Sequence, residues 1–399
     1  MGNFEFLNMF FLLTNFIYPI KKPISLSDHF EFAFDNPRTK EEVETVKELI
    51  QKSWDLSETV EGFQYQRFPM KKEVPNQDVI TFEILIEEFL QKYFGKKESK
   101  KKIKNIEGNK DAIIDFYSQH WVIVRYKTTE MVKEEQRLRS EAKKMREKGD
   151  RGFFLLDNEH IFEKREKNLI DYAHLISLLS AKEEFFGWNF LITKSRYEII
   201  EFSPNIHIMR YILEQALSVK STNKNDPSAY RFDFETFIDI VTPKIKLLDE
   251  KLKKKEITEE EVLYIGDVLE SAKPINNEFS SLVRIVSIIE MLLTHQPNFS
   301  RFNVEDSITK QFVLKTAIIV HQENPEMNLD ELKKKLKEIY TQRSNIVHGN
   351  FSAVNSYLKN LKKKDEYFDS MISNTYYFAR IVLDTFIRQP KFVQFLKEN

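Results

Sequence analysis

The sequence predicts an α+β chain in which a mixed α/β half precedes an all-helical half, and three observations carry that prediction. Short aromatic and β-branched runs bounded by turn residues lie in the first half and are few after it. Ser221-Thr222-Asn223-Lys224-Asn225-Asp226-Pro227-Ser228 is polar and broken by proline, the best linker in the chain. Beyond it, apolar residues recur at helical spacing in segment after segment. The expected division is residues 1–222 as a mixed α/β domain and residues 229–399 as a helical one.

Taken in order, Phe4 to Ile20 (FEFLNMFFLLTNFIYPI) is apolar enough to resemble a targeting signal. It carries Glu5 where a signal needs positive charge, holds Asn8 and Asn15, and lacks a small-residue cleavage site, so it reads as a buried strand or strand plus turn. His29 to Phe34 alternates, Trp121 to Tyr126 is a second strand, and Phe190 to Thr193 with Arg196 to Ile200 reads as a strand pair. Between them, Val79 to Phe94 and Phe162 to Ala181 have helical periodicity, and Thr129 to Lys148 is charged enough to be a solvated helix. Lys96 to Lys110 (KKESKKKIKNIEGNK) reads as a lysine-rich loop, a solvated tip ahead of a phosphate-binding patch. In the second half the expected helices are Asp233 to Lys254, Thr258 to Ala272, Asn276 to His295, Val304 to His321, Asn328 to His348 and Asp365 to Arg388. Thr258 with Glu261, and Asn328 before Leu329-Asp330-Glu331, supply start signals.

Composition narrows the chemistry. The 399 residues include no cysteine, which excludes a disulfide framework, thiolate zinc sites, iron–sulfur clusters and a thiol nucleophile; a reducing cytoplasm is the natural setting. With 61 Lys+Arg against 62 Asp+Glu, any nucleic-acid binding must come from a local patch. No other apolar stretch is long enough to cross a membrane, so no membrane partner is expected. Phosphate-loop, dinucleotide, nucleophile-elbow and His-Glu-x-x-His motifs are missing, and the eight histidines show no metal-ligand spacing. Asp157, Glu159, His160 and Glu163 imitate a carboxylate cluster but read as helix-start caps. No metal and no cofactor are expected.

One segment stands apart: Tyr340-Thr341-Gln342-Arg343-Ser344-Asn345-Ile346-Val347-His348-Gly349. Histidine moves a proton at neutral pH and a guanidinium holds phosphate oxygens, the two tasks of a metal-free ribonuclease. The bare spacing is weak, because 16 Arg and 8 His in this length produce one such pair by chance roughly a third of the time. Gly349 marks the end of a helix, which puts His348 in its last turn. Five helical residues turn through about 500°, so Arg343 and His348 stand about 140° apart, a gap that a second copy facing the first would close. Ser344 and Asn345, four and three residues before His348, are placed to orient the imidazole or bind phosphate. Glu290 interrupts an otherwise apolar helix and needs a partner if buried, with Arg343 the one expected; the other reading puts it on a polar stripe with Arg284 and Ser287. Lys359, Lys362, Lys363 and Lys364 follow closely as a candidate RNA-binding patch or a solvated face.

Arg343-Ser344-Asn345-Ile346-Val347-His348-Gly349 resembles the Arg-x4–6-His signature of HEPN domains, particularly the Apea-like group. The helix Ser280 to Leu293 is similar to that family's Leu-Glu-x-Leu-Leu helix, Ser307 to Leu314 to its short intermediate helix, and Tyr376 to Ile387 to its closing helix. The resemblance runs from about Asp226 to Asn399, while the first half is only loosely similar to the sensor-like domains that precede such modules. It implies a helical HEPN bundle that forms a homodimer with a composite site and cuts RNA without metal, with Arg343 and His348 as the catalytic pair. The 2′-hydroxyl of the substrate attacks, leaving a 2′,3′-cyclic phosphate and a 5′-hydroxyl. Many active members carry Asn, Asp or His after the arginine; this chain has Ser344, with Asn345 one place later. The implied setting is antiviral defence, abortive infection or a toxin held by an antitoxin, phage-derived or other regulatory partner. A silent HEPN module that binds RNA or a nucleotide, and a dimerisation scaffold, are the alternatives.

Overall fold

The computed structural model describes residues 11–59, 75–106, 109–126, 159–180, 191–192, 234–272, 277–295 and 307–399, with isolated positions between 136 and 147. The chain divides into two compact units, Met1–Glu166 with Phe190–Ile240, and Lys167–Asn189 with Val241–Asn399. The fold is α+β, mostly helical with one antiparallel sheet in the first unit. The expected linker at 221–228 lies outside the described residues, as do the Arg196 to Ile200 strand and most of the charged 129–148 segment. Residues 167–189, expected in the first domain, group with the second unit.

In the first unit the strands are β1 (Phe11–Ile17), β2 (Ile24–Ser27), β3 (Phe32–Asp35), β4 (Trp121–Tyr126) and β5 (Leu191–Ile192), in the order β2-β3-β4-β1-β5. Every pair is antiparallel. The β1–β4 register shifts between Leu13 and Ile17. Thr14 settles the irregularity: its hydroxyl donates to the Val122 carbonyl at 2.8 Å, and its own carbonyl accepts from the Trp121 indole at 2.7 Å. Alternation then sorts the faces. Ile17, Trp121 and Ile123 pack into one core with residues of α1 (Lys40–Thr59), α2 (Pro75–Phe94) and α4 (Lys110–His120). Phe16 and Phe34 stack instead on Phe234 and Phe237, at centroid distances of 5.1–5.5 Å.

Two expectations need correction here. The alternating run at His29 to Phe34 is a strand only from Phe32, because residues 28–31 turn and Glu31 takes φ 49°. Lys96 to Lys110 is not a loop: α3 spans Lys96–Ile103, after Gly95 at φ 84° has turned the chain out of α2.

The second unit holds the rest of α5 (Glu159–Ser180) and α6 (Phe234–Lys253), then α7 (Glu259–Ser271), α8 (Glu278–Leu293), α9 (Ile308–Glu323), α10 (Leu329–Val347), α11 (Phe351–Lys363), α12 (Phe368–Arg388) and α13 (Pro390–Glu398). The unit boundary inside α6 falls just ahead of Pro243, which has no N–H to donate to the Asp239 carbonyl. Caps set the starts. Thr258 and Glu261 form the reciprocal capping box, and Asn277, Ser307 and Asn328 each accept from first-turn amides. α8 is central and touches α7, α9, α10, α12 and α13. Its Leu282, Ile285, Val286, Ile288, Ile289, Leu292 and Leu293 are all buried, which is why its one mid-run carboxylate matters. No helix of the described residues is long and apolar enough to cross a membrane.

Candidate active site

The site grows from the crossing of α8 and α10. Glu290, in the last turn of α8, is mostly buried, and both of its oxygens are used. Oε2 lies 2.6 Å from Arg343 Nη2, and Oε1 accepts from the Tyr340 hydroxyl at 2.9 Å. Tyr340 and Arg343 lie one turn apart on α10, so they face the same way, and the guanidinium carbon sits 5.6 Å from the Tyr340 ring centre. Burial pushes the Tyr340 hydroxyl up to about 12, with the Glu290 charge and the hydrogen bond to it adding; the hydroxyl is therefore a fixed donor. The Arg343 charge and Thr309 of α9 oppose that rise. Arg343 keeps 21% of its side-chain surface exposed, so it is anchored but reachable, while its buried Nε has no hydrogen-bond partner among the described residues.

His348 ends the helix. It takes φ −88° as the cap residue of α10, Gly349 follows at φ 69°, and the Gly349 and Asn350 amides bond to the Ile346 and Asn345 carbonyls at 3.2 and 2.8 Å. This is the Schellman arrangement, and it needs the left-handed residue that glycine supplies without strain. The His348 side chain is exposed and flanked in sequence by two exposed apolar residues, Val347 and Phe351.

The structure joins Arg343 to Glu290 and leaves His348 exposed at the helix end. No hydrogen bond or ion pair links His348 to Arg343, Ser344, Asn345 or Glu290 among the described residues. Asn345 does not orient the imidazole: its side-chain oxygen faces the Asn350 amide at 3.4 Å. Ser344 contributes its carbonyl to the His348 amide at 3.0 Å. Arg284 bonds to Ser280 instead of sharing a stripe with Glu290. Lys359, Lys362 and Lys363 lie exposed on α11, and Lys364 is its cap residue, also exposed. By helical rotation, Lys359 and Lys363 fall opposite the buried Val354 and Leu361, and Lys362 lies on the flank. Sequence reasoning missed Tyr340, whose i, i+3 spacing from Arg343 was the available signal.

The other acidic grouping lies in the same unit. Asp171, Asp267 and Glu270 place one oxygen each within 4.8 Å of one another. The Lys167 ammonium already holds two of them, at 3.1 Å from Asp171 and 2.5 Å from Asp267. The side chains at Asp157, Glu159, His160 and Glu163 lie outside the described residues.

Protein-family models, curated proteins and solved structures were compared with the chain, and none matches.

Proposed function

We propose that the second unit is a metal-independent endoribonuclease of the HEPN type, with Arg343 and His348 as its catalytic pair. The observation that carries this reading is the held guanidinium: Glu290 fixes Arg343 at 2.6 Å on a helix whose glycine-ended terminus presents an exposed histidine. A fixed cation loses little freedom when it meets a phosphate, and it can take up charge gathering on the non-bridging oxygens. In the reaction the ribose 2′-oxygen attacks the adjacent phosphorus and gives its proton to a base. The bond to the 5′-oxygen breaks and that oxygen leaves protonated, so the products are a 2′,3′-cyclic phosphate and a 5′-hydroxyl. His348 supplies the proton transfers.

Arg343 points to Glu290 while His348 faces solvent, so one chain offers half of the constellation to any one phosphate. A homodimer in which the His348 of one copy meets the Arg343 of the other completes it, and exposed Val347 and Phe351 offer apolar surface for that meeting. The wider role that goes with this reading is antiviral defence in the cytoplasm, with the first unit sensing the trigger and a regulatory partner restraining the nuclease.

The test compares wild type with His348→Ala on total RNA in EDTA, with product ends mapped. The reading expects cyclic-phosphate ends from wild type and a loss of about 10²–10⁴-fold in the variant. Cleavage that survives the substitution or vanishes with the chelator overturns it, and an active monomer overturns the composite site. The Glu290 contact also favours a second reading, because it neutralises Arg343: a silent bundle that holds RNA or a nucleotide, or only dimerises. That reading expects binding or dimers with no cleavage by any preparation.

A further inference from the structure

The first unit carries a charge feature that the proposed nuclease does not use. Between Lys92 and Lys104 there are seven lysines and one acidic residue, Glu98. The structure makes most of this stretch a helix, and helical geometry decides where the charges go. At 100° per residue, Lys96, Lys100, Lys104, Lys97 and Lys101 fall in that order within an arc of about 140°. Lys104 counts because its backbone continues the helical conformation at φ −57°, ψ −25°. All five side chains are exposed, and no acidic partner is bonded to any of them among the described residues.

The opposite side of α3 is fixed to the protein. Ser99 is fully buried and donates to the Glu87 carbonyl of α2 at 3.3 Å, Ile106 is buried, and Ile103 packs on the same core. The sixth helix lysine, Lys102, leaves the row and lies 4.2 Å from the Phe94 ring centre. The helix therefore holds five lysines on a rigid back, with Glu98 off the face.

We infer that the Lys96–Lys97–Lys100–Lys101–Lys104 face of α3 is an anchor for the phosphate backbone of single-stranded RNA. A row of flexible ammonium groups without a pocket suits a polymer with repeated charge and reads no sequence. A protein partner of ordinary affinity would want apolar or aromatic anchors at the centre of the surface, and this face has none. A membrane would want the apolar side of the helix, which is spent on α2. The inference deepens the ribonuclease reading and rests on it for its substrate. Residues 225–399 hold 25 Lys+Arg and 26 Asp+Glu, so the nuclease half has no charge surplus with which to hold its RNA.

The experiment uses full-length protein carrying His348→Ala, so that RNA survives the measurement, and a labelled single-stranded oligoribonucleotide of mixed sequence. Five phosphate contacts give a slope of log affinity on log salt of about −3.5, so that a fourfold rise in salt weakens binding about 100-fold. Changing all five lysines to glutamine removes most of that slope, while changing all five to arginine keeps it. Lys100→Glu with Lys101→Glu, checked for an unchanged melting temperature, repeats the loss with fewer substitutions. Equal affinity and slope for the glutamine variant and its parent overturn the anchor, as does binding to anionic vesicles or to an acidic protein in place of RNA. The two proposals fail separately. Glutamine substitutions on the otherwise wild-type chain that leave KM for RNA unchanged at every salt concentration sink the anchor and spare the nuclease. Salt-sensitive binding without any cleavage by wild type sinks the nuclease and spares the anchor.

Discussion

Two regions, α3 in the first unit and the α8–α10 crossing in the second, treat charge in opposite ways. In the first, Lys96, Lys97, Lys100 and Lys101 of α3 face solvent with no acidic partner among the described residues, and burial among Phe89, Phe94 and Phe116 lowers the His120 pKa to about 4, with the hydrogen bond to the Phe116 carbonyl opposing and the Lys102 charge adding. In the second, Arg343 is paired with Glu290 and both are largely buried, while elsewhere in that unit Lys244 pairs with Asp384 and Lys167 with Asp171 and Asp267. An unpaired surface charge meets a ligand with no partner to give up, whereas a paired one such as Arg343 is held in place by its carboxylate and shares its charge with it. Under the two proposals above, RNA capture and RNA cleavage would fall on different units of one chain.

Breaking a pair in the second unit should have the largest effect. Glu290→Ala leaves Arg343 without its carboxylate and Tyr340 without its acceptor, and we expect a loss of about 2–4 kcal/mol in denaturant unfolding, below the range for fully buried pairs because both groups keep some solvent contact. Replacing the five α3 lysines by glutamine should stay within about 0.5 kcal/mol of wild type. Equal costs for the two substitutions would dissolve the contrast.

Acid separates the units next. The unfolded chain protonates histidine near pH 6.5, but folded His120 resists until about 4, so its contribution to stability is lost as pH falls through that window. Asp171 runs the other way. Burial holds its carboxyl up near 6, with Asp267 and Glu270 adding and Lys167 opposing, so the folded state takes up a proton that the unfolded state refuses, and stability rises as pH falls from 6 towards 4. Between pH 7 and 5 we expect about 1–2 kcal/mol lost through His120 and about 1 kcal/mol gained through Asp171. Denaturation midpoints of His120→Gln and Asp171→Asn at both pH values should show these responses vanish one at a time.

How much of this was legible depended on which physical signal wrote it. α7 and α10 could be bounded from sequence because Thr258, Glu261 and Asn328 cap them with their own side chains. The Trp121 to Tyr126 strand showed as a β-branched and aromatic run. α3 was illegible as a helix because Ser99 is its buried residue and Ile103 is only half-buried, and a lysine run has no apolar period to read. Only the turn at Gly95 and the packing on α2 fix it. α11 has the same weakness, with Val354 and Leu361 its only buried residues. The Glu290–Arg343 contact was among the expectations because a carboxylate in an apolar helix demands a partner. Tyr340 was not, although its i, i+3 spacing from Arg343 put it on the same side of the helix as the guanidinium.

Helix ends set effects about as large as the acid responses. Three helices of the second unit end on a left-handed residue: Lys255 at φ 55°, Gly349 at φ 69° and Asp365 at φ 59°. The Glu256 and Glu366 amides close the same bonds to Lys251 and Leu361 that Asn350 closes to Asn345. Gly349→Ala should cost about 1–2 kcal/mol, because a Cβ there is strained by the backbone even though it would meet only the Phe351 side chain, at an ordinary 3.8 Å. Asp365→Gly should stabilise by up to about 1 kcal/mol, read as a rise in thermal midpoint.

Pro243 has a consequence for the timing of local unfolding. A helix whose hydrogen-bond ladder is interrupted at Asp239 is zipped from two sides, its first turns by the aromatic cluster of the sheet and its later turns by the helices of the second unit. Opening either unit therefore need not unzip the whole of α6, and a single element can hold two degrees of protection from solvent exchange along its length.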